Sequence, residues 1–188
     1  MFPFIRLIKD LFLASRQPRI GLTDEHVSHH IIWPWDLDAF LELNNGRTLT
    51  IYDLGRLGAG VRSGLVKTLK GQKWGLTMAG SSVRYRRRLR AFARVQMRSR
   101  GVCWDDKFMY IEQSMWNAHG ECANHVLYRA AATDQNGIVA PGRILRAMGE
   151  DVKSPPMPGW VEAWVKAEAQ RPWPPMQDET PLPMRKVS

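Results

Sequence analysis

Cysteine is nearly missing from this chain, with Cys103 and Cys122 the only two in 188 residues, lying in separate strand-like runs. A disulfide framework for an oxidising compartment would normally need more, so the thiols read as reduced core residues of a cytoplasmic protein. Long apolar runs are missing too. The first twenty residues carry Phe4, Leu7, Ile8, Leu11 and Phe12 on one helical face, but Arg6, Lys9 and Asp10 interrupt them. A signal peptide needs an unbroken apolar core, and the segment is too short to cross a bilayer. It predicts an amphipathic helix docked on its own protein or on a neighbouring subunit. Peripheral membrane contact through residues 1–20, flanked by Arg6, Lys9, Arg16 and Arg19, is the alternative. Acid is scarce as well: 18 carboxylates face 27 Lys and Arg, a net charge of +9. Such a surface attracts polyanions, whether nucleic acid, anionic lipid or a phosphate-rich cofactor, and charge alone does not choose among them.

Several motifs of common chemistry are also lacking. His26, His29 and His30 do not form a metal set, because strand alternation turns His29 away from the other two and no Cys or carboxylate stands at ligand spacing. Ser81-Ser82 is not framed as a nucleophile elbow, and Gly58-Ala59-Gly60 falls inside a helix rather than in a phosphate loop. There is no internal repeat.

What remains is an ordinary globular balance, 44% hydrophobic and 24% charged, which argues against disorder. The eight Trp are less ordinary. Trp160, Trp164 and Trp173 lie outside any core-like stretch and suggest apolar surface for a partner subunit to cover. Alternation over Glu25 to Ile32 predicts a first strand, ended by Trp33-Pro34. After a polar turn, Asn44 or Asn45 can cap a helix from about Gly46 to Ser63, with Gly64 as its stop. Gly55, Gly58 and Gly60 each cost that helix roughly 1 kcal/mol against alanine. Their presence predicts a helix pressed closely against another backbone, as one wrapped in a sheet would be.

From Lys73 onward the period changes to that of strands: Trp74 to Arg88, Phe92 to Trp104, Phe108 to Ala118, and Cys122 to Thr133. The short breaks between them suit an antiparallel meander. Pro141 to Met148 and Trp160 to Gln170 read as further helices, followed by a proline-rich arm from Pro172 to Pro183. The fold class is therefore α+β, one long helix against an antiparallel sheet of about five strands. The expected organisation is an N-terminal amphipathic segment (1–22), a central domain (23–158), and a C-terminal helix with a proline-rich tail (159–188).

Chemistry concentrates in Trp35-Asp36-Leu37-Asp38-Ala39-Phe40-Leu41-Glu42-Leu43-Asn44-Asn45-Gly46-Arg47. Three carboxylates and two amides crowd the entrance of a helix, where free N–H groups and the positive dipole end stabilise an anion. Those amides can polarise a thioester carbonyl while a carboxylate acts as base or nucleophile. Simple capping and turn formation explains the same residues equally well.

The pattern Asp36-x-Asp38, Asn44-Asn45-Gly46-Arg47, then Asp53 and Arg56 on a helix, resembles the hot-dog thioesterases. The likeness is to the branch of 4-hydroxybenzoyl-CoA thioesterase and of thioesterase superfamily member 6-like proteins. Trp104-Asp105-Asp106-Lys107-Phe108-Met109-Tyr110-Ile111-Glu112-Gln113 resembles it too, so the likeness runs from about His26 to Pro158. The resemblance implies a hot-dog fold and hydrolysis of an acyl-CoA thioester to free acid and coenzyme A, with no cofactor beyond the coenzyme A of the substrate. It places Asp38 as the catalytic carboxylate, Asn44 and Asn45 in the turn, and the N–H groups of Gly46 and Arg47 as oxyanion donors. Two departures stand out: Leu41-Glu42 where many relatives carry Gly-His, which makes Glu42 a candidate second carboxylate, and Thr48 where they carry Tyr. Arg84, Arg86 and Arg88, alternating along a strand, are candidates for the coenzyme A phosphates, with a solvated basic strand end as the alternative. A nucleic-acid site is not expected, since Tyr85 alone offers stacking there. The resemblance also implies a homodimer joined sheet to sheet with sites at the interface; a tetramer is the alternative. A hot-dog dehydratase or hydratase needs a histidine paired with a carboxylate, and none lies between Ile31 and Asn117. A non-catalytic acyl-CoA-binding protein of the same fold is the remaining alternative.

Overall fold

The amphipathic N-terminal segment folds as a helix in this computed structural model, which describes residues 2–175. Helix α1 (Phe4–Ser15) turns Asp10 and Ala14 inward and leaves its opposite face in solvent. Strand β1 (His26–Ile31) follows, with His26 and His30 on its buried side. Trp33-Pro34 ends it in one turn of 3-10 helix, Pro34–Asp36.

Helix α2 (Asn45–Ser63) starts where Asn44 Oδ1 can accept from Gly46 N and Arg47 N. It stops at Gly64, whose φ of 84° lies in the left-handed region that glycine tolerates best. Its glycines mark a close approach to side chains rather than to another backbone. A Cβ on Gly58 would sit 2.8 Å from His26 Nε2, and one on Gly55 would meet the Met97 sulfur and the Ser28 and Ser99 hydroxyls. The helix therefore presses on side chains from the sheet, and the lost helix propensity is exchanged for that packing. A polar seam fixes the contact: Gln113 Nε2 donates to the Tyr52 carbonyl (2.9 Å) and to Ser99 Oγ (2.8 Å), and its Oε1 accepts from Arg56 (3.2 Å).

A second helix, α3 (Leu65–Gln72), follows at once, in a stretch where the sequence predicts no element. Only Leu65 and Leu69 are buried there, too few apolar positions for periodicity to stand out. The strand-like runs become β2 (Gly75–Tyr85), β3 (Arg94–Trp104), β4 (Met109–Trp116) and β5 (Cys122–Asp134), with a short β6 (Gly137–Val139) after the Asn136-Gly137 turn. They do not form one continuous meander. The sheet order is β1-β3-β4-β5-β2, all antiparallel, with β6 beside β5. β3, β4 and β5 are successive hairpins, whereas β2 pairs with β5 at the far edge. The connection from β2 to β3 is no tight turn: Arg86 N and Arg87 N both donate to the Ala123 carbonyl, and Phe92 N donates to the Ile32 carbonyl. Those bonds carry the chain across the end of the sheet from β5 to β1.

The main core lies under α2 and joins Ile51 and Tyr52 to Ile32, Leu43, Leu89, Val95, Met97, Met115, Val126 and Tyr128. A second cluster gathers Leu65, Leu69, Trp74, Met109, Val139 and Ile144, the last from helix α4 (Pro141–Met148). The chain divides after Pro155 into two compact units. Beyond that point the described residues form helix α5 (Gly159–Gln170); the expected proline-rich arm lies, from residue 176, outside the described residues.

Two buried histidines make this packing sensitive to acid. Burial, reinforced by the nearby Arg62, holds His26 down to about 4, and Arg62 Nη1 lies 3.0 Å from its Nδ1. Burial, with Arg6 and Lys9 nearby, holds His30 down to about 3. Both groups bind protons more readily unfolded than folded, so their contribution is complete above the unfolded value of about 6.5 and is lost as pH falls below it. Asp10, raised by burial, acts in the opposite sense at lower pH. Denaturation curves should lose on the order of 2–4 kcal/mol between pH 7 and pH 5. A His26→Gln/His30→Gln variant should lose most of that slope; an unchanged slope would show that these residues do not carry it.

Candidate active site

The loop before α2 is closed by its own backbone. Leu37 pairs with Leu43 as an isolated antiparallel bridge, Asp38 N donates to the Glu42 carbonyl (2.9 Å), and Leu41 N donates to the Asp38 carbonyl (3.1 Å). Leu43 N then donates to the Leu89 carbonyl (2.8 Å), which ties the loop to the connection that follows β2. Leu41 has φ 57°, a left-handed conformation that a side chain disfavours. Glycine adopts that conformation without the side-chain clash, so Leu41 holds the turn at a cost.

Asp36 anchors this loop. It is fully buried, and its carboxylate accepts from Trp33 N (3.0 Å), Arg6 Nη1 (2.7 Å), Arg47 Nε (3.1 Å) and Arg47 Nη2 (2.6 Å). Its carbonyl accepts from Asn44 N (3.0 Å). Burial pushes the acid upward, but the Trp33 amide and the Arg47 and Arg6 guanidinium groups outweigh it and hold Asp36 below the usual carboxylate range.

Asp38 differs in every respect. It is half-buried, and its Oδ1 accepts from Phe40 N (2.8 Å) and, more weakly, from Glu42 N (3.4 Å). It lines an open cleft of about 210 Å³ together with Glu42, Asn45, Thr48, Tyr85, Arg86, Arg87, Arg88 and Asn124. The structure thus brings Asp38, Glu42 and Asn45 together with two of the three expected arginines. Asn44 is next to them as the helix cap.

Three expectations need correction. Arg84, Arg86 and Arg88 do not share one strand face, because β2 ends at Tyr85. Arg84 lies within β2 opposite His125 and is not among the cleft's lining residues, while Arg86 and Arg88 reach it from the following loop. Second, Gly46 N and Arg47 N are not vacant, since both already donate to Asn44 Oδ1 (2.9 and 3.2 Å). Asn45 N is the first-turn amide that the cap leaves unengaged. Third, Glu42 is not a free carboxylate: Arg88 Nε lies 3.1 Å from its Oε2.

The sequence reading missed Asn124 and the part played by Tyr85. Asn124 accepts from the buried Tyr52 hydroxyl and reaches the cleft only because β5 pairs with β2. Register across a non-sequential strand pair leaves no local pattern. Thr48, fully buried, donates to the Asn44 carbonyl (3.0 Å). A separate, strongly apolar cavity lies along α2 and α3 among Leu57, Gly60, Leu65, Val66, Met109 and Ile111. It holds none of the acidic loop, so the polar cleft, rather than this cavity, is the candidate for chemistry. Among the described residues no group of His, Cys, Asp and Glu could hold a metal.

Residues 32–165 match the thioesterase-like superfamily, and the chain belongs to that family. Among its relatives are Protein THEM6 of Xenopus laevis, 33% identical over 87% of this chain and 78% of that one, and Protein THEM6 of Drosophila melanogaster, 26% identical over 87% of this chain and 84% of that one. Among solved structures, the DHNA-CoA thioesterase from Staphylococcus aureus superposes with a TM-score of 0.57 at 15% identity, covering 77% of this chain and 91% of that one. The fold is the hot-dog fold, a long helix against a curled antiparallel sheet.

Two substitutions separate anchoring from chemistry. Asp36→Asn should lower stability by about 3 kcal/mol, since it breaks a buried ion pair. Hydrogen exchange across α1 should quicken, because Arg6 loses its charged partner and keeps the Ile31 carbonyl; slow exchange with unchanged stability would refute the anchoring role. Leu41→Gly should do the reverse. Leu41 is 71% exposed, so little packing is lost, and relief of a conformation costing about 1–2 kcal/mol, less the roughly 0.5–1 kcal/mol that glycine adds in unfolded-chain entropy, leaves about 1 kcal/mol and should raise Tm by roughly 2–4 °C. A lower Tm would show that the turn is not strained.

Proposed function

We propose that this protein hydrolyses an acyl-CoA thioester to the free acid and coenzyme A, with Asp38 as the catalytic carboxylate. The observation that carries this reading is the contrast between its two neighbouring acids. Asp36 is locked by four donors, whereas Asp38 has one oxygen oriented by loop amides and lines an open cleft at the entrance of α2. A carboxylate so placed can take a proton from water as the water oxygen bonds to the carbonyl carbon. The developing oxyanion would face the N-terminal end of α2, with Asn45 N in place of the Gly46 and Arg47 amides engaged by the cap. Cleavage of the C–S bond then releases the coenzyme A thiolate, and the proton from water neutralises it.

Arg86, Arg87 and Arg88 on the opposite wall suit the phosphates of coenzyme A, with Arg87 also paired to Glu121 (3.2 Å). No further cofactor enters this reading. A homodimer fits the free edge of β2, an eleven-residue strand mostly exposed and bonded to β5 on one side. Long unpaired edges invite another strand. Because Tyr85 ends β2 and lines the cleft, a second copy continuing the sheet would border the site; pairing of dimers into a tetramer is the larger alternative. The Glu42–Arg88 pair and the engaged Gly46 and Arg47 amides favour one other reading, an acyl-CoA-binding protein without turnover. A dehydratase is disfavoured, since no histidine lines the cleft.

Asp38→Asn keeps an oxygen for the Phe40 amide and should leave Tm unchanged. Hydrolysis of an acyl-CoA panel, followed by thiol release, should fall by about 100-fold or more. Equal rates in both proteins would remove Asp38 from catalysis, and binding of acyl-CoA without thiol release by either protein would establish the binding-only reading.

A further inference from the structure

Helix α1 is held firmly on one side and bare on the other. Arg6 bonds to Asp36 and to the Ile31 carbonyl (3.0 Å), and buried Asp10 lies 3.4 Å from His30 Nδ1 and 3.2 Å from Lys9 Nζ. Ala14 completes the docked side. Opposite them, Phe4, Ile5, Ile8, Phe12 and Leu13 all stand exposed, Ile5 at 86% and Ile8 at 67%. The apolar surface continues beyond the helix. Ile5 lines a groove with Ile31 and Trp33. Trp33 stacks on exposed Trp35 (5.2 Å between ring centres) and meets exposed Phe92 edge-on (6.0 Å). Soluble monomers rarely leave so large a contiguous patch uncovered.

Charge selects the occupant. Asp10, the acid of α1, faces inward, while Lys9 and Arg16 are exposed on the helix, Arg16 lying over the Phe12 ring (4.0 Å), and exposed Arg94 lines the groove beside Ile5. Aromatic and branched side chains ringed by cations that can extend toward headgroups suit the boundary of an anionic bilayer. A second copy does not account for the patch. α1 packs on α2, with Arg6 and Asp10 reaching Ile31 and His30 of β1, and β1 and β2 are the two outer strands of the β1-β3-β4-β5-β2 sheet. Those contacts place α1 toward the sheet edge opposite β2, so the patch is not part of the β2 edge offered to a second copy. We propose that α1, with Trp33, Trp35 and Phe92, is a peripheral docking surface for an anionic lipid bilayer. This inference is independent of the reaction assigned to the cleft.

The test is co-sedimentation of the full chain with phosphatidylcholine vesicles, with and without phosphatidylglycerol. The wild type should bind the anionic vesicles and be released by salt. Ile5→Glu/Ile8→Glu should weaken binding by at least about tenfold, and Arg16→Gln/Arg94→Gln by about tenfold on anionic vesicles only. Both pairs are exposed, so thermal melting should match the wild type. Should the first pair fail to fold, Trp35→Glu, which lies outside the helix, must show the same loss. Absence of wild-type binding overturns the proposal, as does equal binding to both vesicles. A smaller assembly for Ile5→Glu/Ile8→Glu in lipid-free light scattering, with no vesicle binding by the wild type, would assign the face to another copy of this chain.

Discussion

The buried carboxylate of Asp36 sets the geometry that everything near the cleft inherits. Removing a charge from water is expensive unless charged or dipolar partners replace the lost hydration. Here a backbone amide and two guanidinium groups do so, and they come from three separate parts of the chain: α1, the turn after β1, and the first turn of α2. Because the acid is held below the ordinary carboxylate range, it stays ionised at neutral pH and the three segments stay joined. The same residue's carbonyl receives Asn44 N, so the anchored acid and the helix cap are two ends of one short construction.

That construction decides which acid is available. Asp36 and Asp38 are two residues apart, and the bridge from Leu37 to Leu43 turns them to different environments. Saturation of one by donors leaves the other to face the cleft. The far wall is positioned equally indirectly. Arg86 and Arg87 hang from the Ala123 carbonyl, and Leu89 receives Leu43 N, so a β5 carbonyl and the acidic loop together place the arginines. The cleft is therefore assembled from chain crossings at the end of the sheet, while the glycine-faced contact of α2 keeps the helix entrance fixed above them.

Local chemistry was legible wherever one segment contains its own explanation. Asn44 as cap, Gly64 as stop, and the glycines of α2 as contact points follow from backbone geometry and need no partner. The paired acids were visible as a cluster, but their division of labour was not, because Arg6 stands thirty residues from Asp36. Placement of β2 failed for a similar reason. The meander is the cheapest reading of four successive strands, and nothing within Trp74 to Arg88 states that its partner is β5. Arg84, Arg86 and Arg88 inherited that error, since alternation applies only while the strand lasts. Helix α3 escaped notice because two buried leucines are too faint a signal.

The departure at Leu41-Glu42 is better understood as two changes of different kind. At Leu41 the backbone holds φ at 57°, so the residue there bears on stability. At Glu42 the N–H is directed at Asp38, and the charged side chain is drawn to Arg88. A histidine there could be neutral and donate to a substrate oxygen; a carboxylate beside a guanidinium cannot donate at neutral pH. It can, however, hold Arg88 at the cleft wall and reduce the positive field that three consecutive arginines impose on Asp38. At the helix entrance the field comes from backbone dipoles, which no side-chain substitution removes.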